Sequence, residues 1–188
     1  MRTSVHIRFA SIVSCVWLLA CEPAAAQVHQ YVAADATPRF FAVPPNIVVS
    51  PSLRGLVDRM LRESRTFRRQ CLRIAADASV TVHLNLALVP LSFGVRAKTR
   101  FSRPSQGPLS AAIEIGRREN LVELIAHEFE HVIEQLDGVD LHARATVPGS
   151  GVSEVSFTKG VFETIRATRA GLSVVAELPC ASSHSCWR

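Results

Sequence analysis

The residues His127-Glu128-Phe129-Glu130-His131 place two imidazoles four positions apart, with a carboxylate directly after the first. On a helix, positions four apart differ by about 40° around the axis, so His127 and His131 project from one face and could grip one metal ion. Glu128 lies about 100° from His127. That puts it beside such an ion rather than on it, where a carboxylate can take a proton from a metal-activated water. The spacing therefore points to zinc-assisted hydrolysis, since zinc lowers the pKa of a bound water to roughly 7.

The motif needs a helix to display it. Leu121, Leu124, Ile125, Val132, Ile133 and Leu136 recur at helical spacing around it, and Gly138 stands where a C-terminal cap would stop the helix. Two histidines are an incomplete set, because a catalytic zinc normally has three protein ligands and one open position. Downstream candidates are Glu163, Asp137, Asp140 and His142. Glu163 is favoured, on a helix expected over Lys159 to Gly171 that could cross the motif helix, with Phe162 and Ile165 beside it to bury it in part. Asp137 is the main rival, but reaching the same ion requires a sharp reversal three residues after His131, where the chain has Glu134 instead of glycine. Glu134 shares the histidine stripe and is expected to orient His131.

The preceding elements read as follows. Pro51 fits the first turn of a long helix whose stripe is Leu53, Leu56, Val57, Met60, Leu61 and Phe67. Ser79 to Val89 alternates Val80, Val82, Leu84, Leu86 and Leu88 with more polar residues, His83 among them, as a strand does. Val95 to Phe101 and Ser110 to Ile115 are two further strands, separated by a loop with two prolines and a glycine. Helix, strands, motif helix and final helix together predict an α+β domain over residues 50–188, preceded by an extended lead-in over residues 27–49.

With these residues in view, the chain resembles the zincin metallopeptidases, and among them the gluzincin group, over about Val80 to Gly171. The resemblance implies a small mixed sheet whose edge strand borders a cleft for a peptide or protein substrate. It also implies zinc held by His127, His131 and Glu163, with Glu163 carried on the C-terminal helix and Glu128 as general base. Two departures stand out. Glu130 is an acid at a position usually uncharged in such peptidases, where it could alter water activation or pair with an arginine. The lone tyrosine, Tyr31, falls in the lead-in, which leaves His142, Arg166 or Arg144 to stabilise a developing oxyanion. The competing expectations are a zincin-like domain that binds metal or a protein without catalysis, and an envelope protein without metal.

Arg2 and Arg8, the apolar stretch Phe9 to Ala20 and the small residues Ala24-Ala25-Ala26 form an export signal over residues 1–26. That stretch is too short to span a membrane, which needs about 20 apolar residues. The protein is thus expected to be exported, periplasmic or secreted. Leu18-Leu19-Ala20-Cys21 also resembles a lipobox, which would anchor the chain to a membrane through an acylated Cys21. The net charge of +5 is mild. Arg65, Arg68, Arg69 and Arg73 lack interleaved aromatics and read as a solvated helix flank, so no nucleic-acid partner is expected. Of the cysteines outside the signal, Cys180 and Cys186 could close a short loop, leaving Cys71 as a small buried hydrophobe. Intact-mass measurement of the exported protein should give an N-terminus at Gln27 or a lipid-modified Cys21; full-length chain kept in the cytoplasm would exclude both.

Overall fold

A break at Ser64 sets the arrangement of the N-terminal helices. The stripe expected to form one helix forms two, α1 (Pro51–Glu63) and α2 (Arg65–Ala75). Ser64 is extended (φ −100°, ψ 122°), and its hydroxyl accepts from Phe67 N, so it caps α2 and cannot continue α1. The same hydroxyl donates to Glu177 Oε2 (2.6 Å), while Thr66 donates to the Glu177 carboxylate through its backbone N (2.8 Å) and its Oγ1 (2.7 Å). A glutamate from the end of the chain thus sits at the positive end of α2.

The computed structural model describes residues 42–179, apart from Phe93, Gln106, Arg118, Glu119 and residues 156–159. The expected export signal, most of the lead-in, Cys180 and Cys186 lie outside the described residues. The end of the lead-in forms β1 (Ile47–Val49), which pairs parallel with β2 (Val80–Leu86). Next come β3 (Ala97–Ser102) and β4 (Leu109–Ile115), giving a mixed sheet in the order β1-β2-β4-β3 with β3 antiparallel at one edge. Then follow α3 (Leu121–Leu136), a short α4 (Leu141–Ala145), the hairpin β5 (Val152–Glu154) and β6 (Phe162–Thr164), and α5 (Ile165–Glu177). The fold class is α+β.

Alternation along β2 and β4 puts Val80, Val82, Leu84, Ala111, Ile113 and Ile115 into one core with Leu53, Met60, Phe67, Ile125 and Phe129 from the helices. Thr81, His83, Ser110 and Glu114 stay on the partly exposed opposite face. Cys71 lies in this core, and burial pushes its thiol pKa up. Among the described residues no helix is long and apolar enough to cross a membrane.

Two expectations about the C-terminal part need correction. Gly171 does not end a helix: α5 starts later, at Ile165, and runs on to Glu177. Its missing side chain serves packing instead, since a Cβ there would stand 2.9 Å from the Glu123 carbonyl oxygen of α3. Glu163 is on β6 and not on a helix, because Thr164 caps α5 by accepting from Ala167 N and so fixes the helix start after it.

The Glu177 cap gives a pH signature. Partial burial opposes ionisation of Glu177, but the bonds from Ser64 and Thr66 outweigh it and hold its pKa below the ordinary 4.5. A depressed carboxylate contributes stability that is complete above the unfolded value and is lost as pH falls through the folded one. Glu177→Gln should therefore lower stability at pH 7 and flatten its decline below about pH 4.5. Ser64→Ala should cost about 1 kcal/mol. Urea unfolding across pH measures both, and an unchanged acid limb in Glu177→Gln would contradict the assignment.

Candidate metal centre

Helix α3 is buried along most of its length, from Leu124 to Glu134. Its end is shaped by the expected glycine: Gly138 has φ +68°, Val139 N donates to Glu134 O (3.0 Å) and Gly138 N donates to Gln135 O (3.2 Å). This pair of bonds is the Schellman arrangement. It turns the chain so that Val139 to His142 run along the rim of a cleft of about 690 Å³, whose walls include Thr99, Glu128, His131, His142, Phe162 and Glu163.

On the cleft side of α3, His127 Nε2 and His131 Nε2 lie 3.1 Å apart. Glu163 Oε2 approaches His127 Nε2 to 3.0 Å, and the three donor atoms fall within 4.8 Å of one another. Among the described residues this is the one group of three such ligands. The strand places Glu163 there: it pairs with Ser153 across the β5–β6 hairpin, which sets its carboxylate over the motif helix. His127 and His131 are buried, whereas the Glu163 side chain is 53% exposed, so the group opens toward solvent on the glutamate side.

His131 is held from behind. Its Nδ1 is 2.8 Å from Glu134 Oε2, and the other Glu134 oxygen accepts from Thr164 Oγ1 (2.7 Å). With Nδ1–H donating to Glu134, the lone pair of His131 is on Nε2 and faces His127. Burial disfavours the imidazolium of His131, but the bond to Glu134 and the nearby carboxylates outweigh it and raise its pKa. Hydrogen bonding to His127 is the main cause that lowers the pKa of Glu163, leaving it ionised. Glu128 behaves oppositely. Burial raises its pKa, against the hydrogen bond that its Oε2 accepts from Thr99 Oγ1 (2.6 Å) and the attraction of both histidines. Thr99 stands on edge strand β3, so the sheet edge borders the cleft and also touches the motif.

The other candidates are drawn elsewhere. Glu130 accepts from Arg166 Nε (2.6 Å) and from Gln70 Nε2 (2.7 Å), on the α2 and α5 side of the helix. Of the two roles open to this acid, pairing with an arginine is the one observed. Asp137 binds Arg166 (2.9 Å) and Arg73 (3.1 Å) and is outside the ligand group. Arg166, so engaged, is not part of the cleft, and Arg144 lines a separate pocket with Arg169 and Gly151. Asp140 caps α4 by accepting from Ala143 N (2.9 Å). His142 does line the cleft, edge-on to Phe162 with ring centroids 5.1 Å apart.

Comparison with family models, curated proteins and solved structures found no match.

The donor types, two imidazole nitrogens and a carboxylate oxygen, are ones that zinc accepts. Tetrahedral ligands at about 2.0–2.1 Å from an ion are about 3.3 Å apart; two of the three donor pairs, those around His127 Nε2, are near this at 3.1 and 3.0 Å, and the His131–Glu163 pair lies within 4.8 Å. Hydrogen bonding alone serves the group poorly. A single N–H on His127 Nε2 would have to be shared between the Glu163 carboxylate and the His131 lone pair, whereas one cation satisfies all three acceptors. His127→Ala and His131→Ala should each abolish zinc retention, and Glu163→Ala should weaken it far more than Asp137→Ala. Competition with a chromophoric chelator measures this, and the reverse ranking of the two acids would remove Glu163 from the site.

Proposed function

We propose that the chain is an exported zinc-dependent hydrolase of peptides, with a zincin-like placement of its motif helix beside the edge of a mixed sheet. The observation that carries this reading is the grouping of His127, His131 and Glu163, with His131, Glu163 and the neighbouring Glu128 on the wall of an open cleft. When bound, zinc supplies Lewis-acid chemistry, acidifying water and polarising a carbonyl.

The chain's own residues account for the proton transfers. Among the described residues, the carboxylate of Glu128 has one hydrogen-bond donor, Thr99, on Oε2; Oε1 is left to accept a proton from an attacking water. Placed there, it can take that proton and then deliver it to a leaving amine. The glutamate thereby returns to its starting state. Strand β3 pairs with β4 on one side only among the described residues, and its residues Ala97 to Phe101 line the cleft. An extended peptide could lie along this edge by backbone pairing. Of His142, Arg166 and Arg144, His142 is the one that lines the cleft, where it could donate to a developing oxyanion.

Glu128→Gln should retain zinc at wild-type stoichiometry and lose peptide hydrolysis by about 10²- to 10⁴-fold. A fluorogenic peptide library with metal analysis of the same sample tests it. Full activity in Glu128→Gln, or zinc loss with the fold intact, would overturn the role given to Glu128.

A further inference from the structure

We infer that Thr164 is a positioning residue that sets two of the three metal donors at once and couples metal loading to the docking of α5. The inference rests on the zinc reading above. Thr164 is buried and its hydroxyl bonds in both directions: it donates to Glu134 Oε1 (2.7 Å) and accepts from Ala167 N (2.9 Å). Glu134, itself 2% exposed, passes the constraint to His131 Nδ1 (2.8 Å). On its other side Thr164 is bonded through the chain to Glu163 and pairs with Val152 in the β5–β6 hairpin. One side chain therefore fixes the ring orientation of His131 through Glu134 and the backbone position of Glu163 through its peptide bond.

The direction of each bond matters. Glu134 offers only acceptors when ionised, so its second oxygen needs a donor, and Thr164 is the one that supplies it. Without that donor Glu134 is free to rotate, and the His131 ring loses its support. Because the same hydroxyl caps the first turn of α5, an ion that tightens His131 and Glu163 also holds that turn against α3.

The test uses the full exported chain and zinc alone. Thr164→Val keeps the β-branched shape and removes the hydroxyl; Thr164→Ser restores it. Chelator competition should show zinc affinity falling about 10- to 100-fold in Thr164→Val, and Thr164→Ser, which keeps the hydroxyl and its bonds, should stay within about threefold of wild type. A role confined to capping would lower the stability of the metal-free protein in Thr164→Val and leave the zinc affinity of the folded protein unchanged, which would overturn the inference. In a Glu134→Gln background the Thr164→Val change should lose most of its effect on zinc affinity, and strict additivity would likewise overturn it. If Thr164→Val does not fold, hydrogen exchange in the wild-type protein decides: zinc should slow exchange at the Ala167 amide, and an unchanged rate contradicts the coupling. Wild-type protein that binds no zinc would defeat the metal reading and this inference together. Wild-type binding with an indifferent Thr164→Val would defeat this inference alone.

Discussion

Five ionisable side chains, His127, Glu128, Glu130, His131 and Glu134, are buried within eight positions of α3. An unpaired charge in such a place costs several kcal/mol, so the helix can be buried only if other elements bring partners to it. Each carboxylate is met from a different direction. Glu128 is met by Thr99 of β3, Glu130 by Gln70 of α2 and Arg166 of α5, and Glu134 by Thr164 of β6. The packing around α3 therefore satisfies polar demands as well as apolar ones.

The side of α3 toward α2 and α5 is structural. Phe129 packs on Phe67 with ring centroids 5.1 Å apart, and the Gln70, Glu130, Arg166, Asp137 and Arg73 network closes over it. The cleft side is left with His127, His131 and Glu163, whose donor atoms face one another. The motif's second acid, Glu130, belongs to the first side. Sharing Arg166 with Asp137 keeps Glu130 out of the cleft.

Local signals made the framework legible. Period-two alternation marked β2, helical spacing and Gly138 marked α3, and the pairing of Glu134 with His131 followed from positions three apart on one helix. What was illegible depended on contacts distant in sequence. Thr99 reaches Glu128 from another element, and no spacing rule connects them. The split at Ser64 is stabilised by Glu177, more than a hundred residues away, so the continuous stripe from Leu53 to Phe67 read as one helix. Three-residue strands such as β1, β5 and β6 are too short to show a period. Glu163 was singled out by its residue type and the neighbours Phe162 and Ile165, while its element was misread because helical spacing from α5 was extended backward past the Thr164 cap.

The central claim is that two imidazoles and one carboxylate hold a single zinc ion with a position left open. Zinc-edge X-ray absorption on the purified, zinc-loaded protein tests this most directly. The expected first shell contains only nitrogen and oxygen, at about 2.0–2.2 Å and about four in number, with outer-shell scattering from two imidazole rings. A sulfur shell at about 2.3 Å, scattering from fewer than two imidazoles, or protein that retains no zinc would contradict it.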